Sequence, residues 1–136
     1  MRLDFAALLR PDPFDDLRAV VEAMGIWGQK WVEARLSLKN LDPSLLMWDM
    51  RRNLDPSPLP DRRVVIQFLY QELPLSKRHW WLVVEPSCEV DLCWSDPGFD
   101  VDLYVSTDLR TMTAIWMGLD TVRAALAAER LTQLEQ

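Results

Sequence analysis

Asp100 and Asp102 stand two residues apart in the run Phe99-Asp100-Val101-Asp102-Leu103-Tyr104-Val105. In an extended chain both carboxylates share one face, and such a pair can move a proton or hold a divalent cation. The plainer reading is a solvated outer face, whose charges also discourage sticking between sheets. His79, the single histidine, follows Lys77 and Arg78. It reads as a solvated turn residue at a strand start rather than a general base. Cys88 and Cys93 fall in one strand-like segment, where an extended step separates them by roughly 16 Å, too far for a direct disulfide. They read as two reduced, unrelated thiols, and no zinc site gathers around them. No Gly-rich phosphate loop and no nucleophile elbow occurs. The expectation is therefore a chain that is not an enzyme, with no catalytic residues, no metal and no cofactor. The unusual figure is seven Trp in 136 residues. Each brings a large apolar surface and one N–H that wants a partner. Together they fill a core or wall an aromatic cavity, and the residues alone leave both readings open.

Composition narrows the partners. Hydrophobic residues make up 49% and charged ones 26%, as in an ordinary globular chain long enough for one domain. A net charge of −6 and a pI near 4.7 argue against direct nucleic-acid binding, which needs a basic surface. The longest apolar runs are too short to cross a bilayer, so no membrane insertion is expected. No leader of the charged-apolar-small kind opens the chain, which points to a cytoplasmic protein.

These residues must be positioned by the elements around them. Residues 1–12 read as a flexible lead-in, and residues 13–136 as a single domain. Within it, 13–36 form a covering or dimerisation helix: Asp12 caps it, Pro13 suits its first turn, and Leu17, Val20, Met24, Trp27 and Trp31 recur on one face. Gly25 and Gly28 cost about 1 kcal/mol each relative to Ala and allow close approach of another helix. A second helix opens at Asp42-Pro43 and runs to about Arg52. Four strands follow, over 63–70, 79–85, 88–94 and 99–105, joined by short turns at Pro74, Pro86-Ser87 and Asp96-Pro97-Gly98. Short turns between successive strands predict an antiparallel meander. In the last strand Phe99, Val101, Leu103 and Val105 share the apolar face. Ser106, Thr107 and Asp108 offer caps for a helix carrying Leu109, Met112, Ile115 and Trp116, which Gly118 ends. Asp120 caps a final helix, and 131–134 can form a fifth strand. The fold class is α+β: a mainly antiparallel sheet of four to five strands with helices packed on one face.

The runs W-W-L-V-V-E-P, E-V-D-L-C, D-P-G-F-D-V-D-L-Y-V and D-L-R-T-M-T-A-I-W-M-G, in that order, resemble the sterol carrier protein type 2-like domain. More closely they resemble the version found C-terminal to the winged helix-turn-helix of bacterial HxlR-type transcriptional regulators. The segments L-D-P-S-L-L-M-W-D-M-R-R and L-R-A-V-V-E-A-M-G-I-W-G-Q-K-W fit the same pattern, the latter being similar to the helix that closes the winged domain and helps it dimerise. The resemblance spans residues 17 to about 134. It implies an effector domain without the DNA-binding part, shortened at its C-terminus. Glu129 stands where relatives often place Gly, so the resemblance leaves open whether the last helix runs on or the fifth strand forms.

Two functions follow. In one, an apolar small molecule or lipid lies between sheet and helices against Trp48, Trp81, Val101, Leu103, Met112 and Trp116. In the other, that space is filled and the chain is an interaction module. It then forms a homodimer through Leu17, Val20, Met24, Trp27 and Trp31.

Overall fold

The computed structural model describes residues 3–9 and 42–135. The helix expected over 13–36, with Leu17, Val20, Met24, Trp27 and Trp31, lies outside the described residues.

A short 3-10 helix, Phe5–Leu8, opens the described chain. Helix α1 (Pro43–Asn53) follows, then β1 (Val64–Tyr70), the single-turn α2 (Leu75–Arg78), β2 (His79–Val84), β3 (Val90–Cys93) and β4 (Leu103–Thr107). Helices α3 (Leu109–Trp116) and α4 (Val122–Ala127) and strand β5 (Leu131–Glu135) complete it. The five strands make one sheet in the order β3-β2-β1-β4-β5. Three of its four pairings are antiparallel, and β1 runs parallel to β4. The α+β class with a mainly antiparallel sheet is the one the alternating segments predict.

The meander is corrected at one joint. β4 does not turn back onto β3 but crosses to the far side of β1, where Ile66 faces Leu103 and Tyr70 faces Thr107. β3 is short, with Asp91 exposed and Val90 and Cys93 half-buried, and it stays an edge. β1 is apolar on both faces, which suits a central strand with a neighbour on each side. Asp102 closes the new pairing. Its N–H donates to the Val65 carbonyl at 2.8 Å, and its Oδ2 accepts from the Val65 N–H at 2.9 Å. Strand β4 begins one residue later, so Phe99 and Val101 do not share its register. Val101 packs on the opposite sheet face from Leu103 and Val105, and Phe99 lies under the Arg63 guanidinium, 4.1 Å from its ring centroid.

One sheet face carries the main core. Val64, Ile66, Phe68 and Tyr70 of β1, with Trp80, Leu82 and Val84 of β2, meet Met47 and Met50 of α1 and Met112 of α3. The other face holds a smaller cluster of Val65, Trp81, Val83 and Val101, with no residue of the described helices. Helix α1 forms because Asp42 accepts from the Ser44 N–H at 2.9 Å, Pro43 sits in the first turn, and Pro43, Leu46, Met47 and Met50 recur on the buried side.

Residues 3–9, expected as a flexible lead-in, are instead part of the core. Phe5 and Leu8 are buried, and the Phe5 ring meets Phe68 edge-to-face with centroids 5.6 Å apart. Two apolar residues three apart, Phe5 and Leu8, need only one helical turn to face inward. The Leu3 N–H donates to Glu135 Oε2 at 3.1 Å and the Phe5 N–H to Gln133 Oε1 at 3.3 Å, tying this segment to β5.

The fifth strand forms without a glycine before it. Glu129 takes the left-handed conformation itself, with φ of 60°, so α4 stops at Ala127 without a glycine and β5 forms.

Candidate functional site

Helix α3 is amphipathic. Asp108 caps it, Oδ1 accepting from the Thr111 N–H at 2.7 Å, and Leu109, Met112 and Ile115 point into the core. Trp116 comes next on the wheel and falls on the flank, half-buried. Gly118, with φ of 80°, reverses the chain: its N–H donates to the Ile115 carbonyl at 3.1 Å, and that of Leu119 to Ala114 at 2.8 Å. This turn sets α4 at an offset from α3 and leaves a cleft between the two, α1 and the 3-10 helix.

The cleft has a volume of about 590 Å³ and is lined by Ala6, Leu9, Asp49, Asn53, Ile115, Trp116, Gly118, Asp120, Thr121, Val122 and Arg123. Leu9, Ile115, Trp116 and Val122 make its apolar wall. Asp49 and Asn53, one helical turn apart on α1, make a polar edge. The Trp116 indole N–H donates to Asp49 Oδ2 at 2.6 Å, and the Asn53 amide donates to Asp49 Oδ1 at 3.1 Å. Asp120 is engaged differently: Oδ2 meets the Arg130 guanidinium at 2.7 Å and Oδ1 accepts from the Thr121 N–H at 2.8 Å. That bond from Asp120 raises the pKa of Arg130 above its ordinary value.

The six residues expected to meet a ligand fall in four places. Trp116 is in the cleft wall. Leu103 and Met112 are fully buried in the main core. Trp48 is on the outer side of α1, 39% exposed, with the Arg51 guanidinium 5.3 Å from its ring centroid. Trp81 and Val101 belong to the far sheet face. The space between sheet and helices is occupied by side chains: Met47, Met50, Phe68, Tyr70, Leu82 and Met112 are each 0% exposed. Leu9, Val122, Asp49 and Asn53 were not read as site residues. The last two are exposed on α1, one turn apart, and carry no local signal that sets them apart from other solvated polar residues.

A second, more polar cleft of about 460 Å³ lies at the ends of β1 and β4, with Glu72, Ser106, Asp108 and Arg130 among its lining. Its carboxylates serve the fold: Glu72 Oε1 accepts from the Leu109 N–H at 2.7 Å, beside the Asp108 cap. The other chemistry-bearing residues are dispersed. His79 opens β2 half-buried, stacked on Trp81 with centroids 6.0 Å apart, rather than in a solvated turn. Cys88 is exposed in the turn before β3, and Cys93 is half-buried in β3. Burial, with the Asp91 charge, pushes the Cys93 thiol up in pKa. Among the described residues no group of three or more His, Cys, Asp or Glu is placed to hold a metal ion, and no helix is long and apolar enough to cross a membrane.

No protein-family model matches the sequence, and no curated protein matches it. Solved structures do resemble it in fold. The stereoselective inverting sec-alkylsulfatase Pisa1 from Pseudomonas sp. aligns over 72% of this chain with a TM-score of 0.56 and 14% identity. The match covers 15% of that enzyme, so this chain spans about one seventh of its length. Sterol carrier protein 2-like 2 from Aedes aegypti aligns over 68% of this chain and 84% of its own, with a TM-score of 0.47 and 18% identity. Sterol carrier protein 2 from Yarrowia lipolytica, in its apo form, aligns over 74% and 92%, with 0.46 and 12%. At these identities the likeness is one of fold alone, and it is carried by the match to part of the sec-alkylsulfatase.

Proposed function

We propose that this chain is a non-enzymatic binding module for an apolar small molecule or lipid, held in the cleft between α1, α3 and α4. The observation that carries this reading is the cleft itself, with half-buried Leu9 and Trp116 at its surface and the buried Ile115 and Val122 at its base, beside a filled core. Each methylene laid on that wall contributes about 0.8 kcal/mol, so a medium alkyl chain suffices for useful affinity. The resemblance of its sequence to the C-terminal domain of HxlR-type regulators supports a wider role: a cytoplasmic effector domain, or a relative of one, that works as a homodimer through residues 13–36 and leaves DNA to another domain. Titration with 1-decanol, followed by calorimetry and by the Trp116 indole signal in a proton–nitrogen spectrum, tests the binding. Saturable heat with a shift of that signal is expected; flat titrations at the solubility limit of the alcohol sink the proposal.

The close packing beneath the sheet favours a second reading, an interaction module without a ligand. It expects the flat titration together with a dimer in sedimentation, and Trp27→Glu with Trp31→Glu would then yield a folded monomer.

A further inference from the structure

The cleft has two carboxylates and one guanidinium on its lining, Asp49, Asp120 and Arg123. Asp120 is matched by Arg130 at 2.7 Å. Asp49 is not matched: the Trp116 indole N–H at 2.6 Å and the Asn53 amide at 3.1 Å are neutral donors, and among the described residues it makes no ion pair. The indole bond comes from the ring edge, so it fixes the ring, itself part of the cleft lining, beside the carboxylate. A negative charge next to an aromatic face, at the mouth of an apolar wall, is the arrangement that attracts an organic ammonium: the carboxylate supplies Coulomb attraction and the ring its quadrupole. Arg123 is exposed on α4 and would be the seat of an anionic head instead. The net charge of −6 weighs against that choice by drawing cations toward the surface.

We propose that the ligand of this cleft is an amine-headed apolar molecule, its ammonium held between Asp49 and the Trp116 ring and its hydrocarbon part on Ile115, Val122 and Leu9. The assignment rests on the reading of the cleft as an apolar-ligand site, and adds the charge of the head.

Three probes of equal chain length separate the two claims: decyltrimethylammonium, 1-decanol and decyl sulfate, each titrated into the whole chain below its micellar concentration. The ammonium is expected to bind about tenfold tighter than the alcohol, the scale of a partly desolvated cation–aromatic contact. Asp49→Asn, which keeps an acceptor for the indole, should bring that ratio close to one. Trp116→Leu, which keeps an apolar wall, should do the same and decides the matter if the first variant does not fold. Equal affinity for alcohol and ammonium, or tighter binding of the sulfate, overturns the head-group assignment and leaves the cleft an apolar site. Failure of all three to bind overturns both. An ammonium preference that survives both substitutions places the head elsewhere and overturns the assignment.

Discussion

The carboxylate of Asp102 accepts from the Val65 N–H at 2.9 Å and meets the Arg62 guanidinium at 3.0 Å. It stands in for a strand residue where β4 has not yet begun, so it holds β1 and the start of β4 together. Asp102→Ala leaves a backbone donor of β1 without its partner and is expected to cost about 1–3 kcal/mol in urea unfolding. Asp100→Ala, at an exposed position, should stay within about 0.5 kcal/mol. Tyr70 makes the opposite case. Burial pushes its ionisation far above the usual phenol range, and its hydroxyl donates only to the Met47 sulfur, at 3.1 Å. A thioether is a weak acceptor, so Tyr70→Phe should change stability by less than about 1 kcal/mol in the same assay. Asp42 sets a pH dependence. The Ser44 hydroxyl and N–H hold its carboxyl below 3.8. A carboxyl lowered on folding stabilises the fold above its unfolded value, and that contribution is lost as pH falls through the folded value. Urea midpoints should therefore drop below about pH 4 in part through Asp42, and Asp42→Asn should flatten the drop.

At the scale of elements, the ends of α3 and α4 are the informative places. Asp108 and Gly118 bound α3 as their residue types dictate, and the cap was legible from Ser106-Thr107-Asp108 alone. Thr107 was not: it belongs to β4, where its hydroxyl donates to the Arg130 carbonyl at 2.7 Å. Glu129 holds φ of 60°, a region that disfavours any side chain with a Cβ. Glu129→Gly should therefore stabilise the chain by about 1 kcal/mol, seen as a higher melting temperature with β5 intact. An unchanged or lower melting temperature would mean that Glu129 contributes contacts worth as much as its strain. For the site, only the Trp116 position was legible. A helix wheel finds the flank of α3, but the opposite wall comes from Leu9 and Asp49, more than sixty residues upstream, and no local period links them to it.

At the scale of the molecule, the two ends of the described chain meet. Phe5 is 0% exposed against Phe68, and the Leu3 and Phe5 N–H groups bond side chains of β5. Phe5→Ala is expected to cost about 3–5 kcal/mol, read from urea unfolding, because it removes a fully buried ring and its edge-to-face contact with Phe68. A loss below about 1 kcal/mol would show that the 3-10 helix is an ornament on the fold rather than part of it.

The alternation of Val64, Ile66, Phe68 and Tyr70, the Asp42-Pro43 start and the Asp108 cap are local signals. By themselves they determined that this chain makes strands and amphipathic helices in this order, and hence an α+β domain with helices on one sheet face. Such signals act within a few residues and say nothing about which strand lies beside which. The tertiary structure alone decided that β4 joins β1 in parallel, because only the folded sheet brings Asp102 to the Val65 backbone. It also decided that Val101 faces away from Met112, because the alternation breaks before β4 begins at Leu103, and that it meets Trp81 of β2 on the far sheet face. And it decided that the open space lies among the helices and not beneath the sheet, because three buried methionines and the rings of Phe68 and Tyr70 fill the core to close packing.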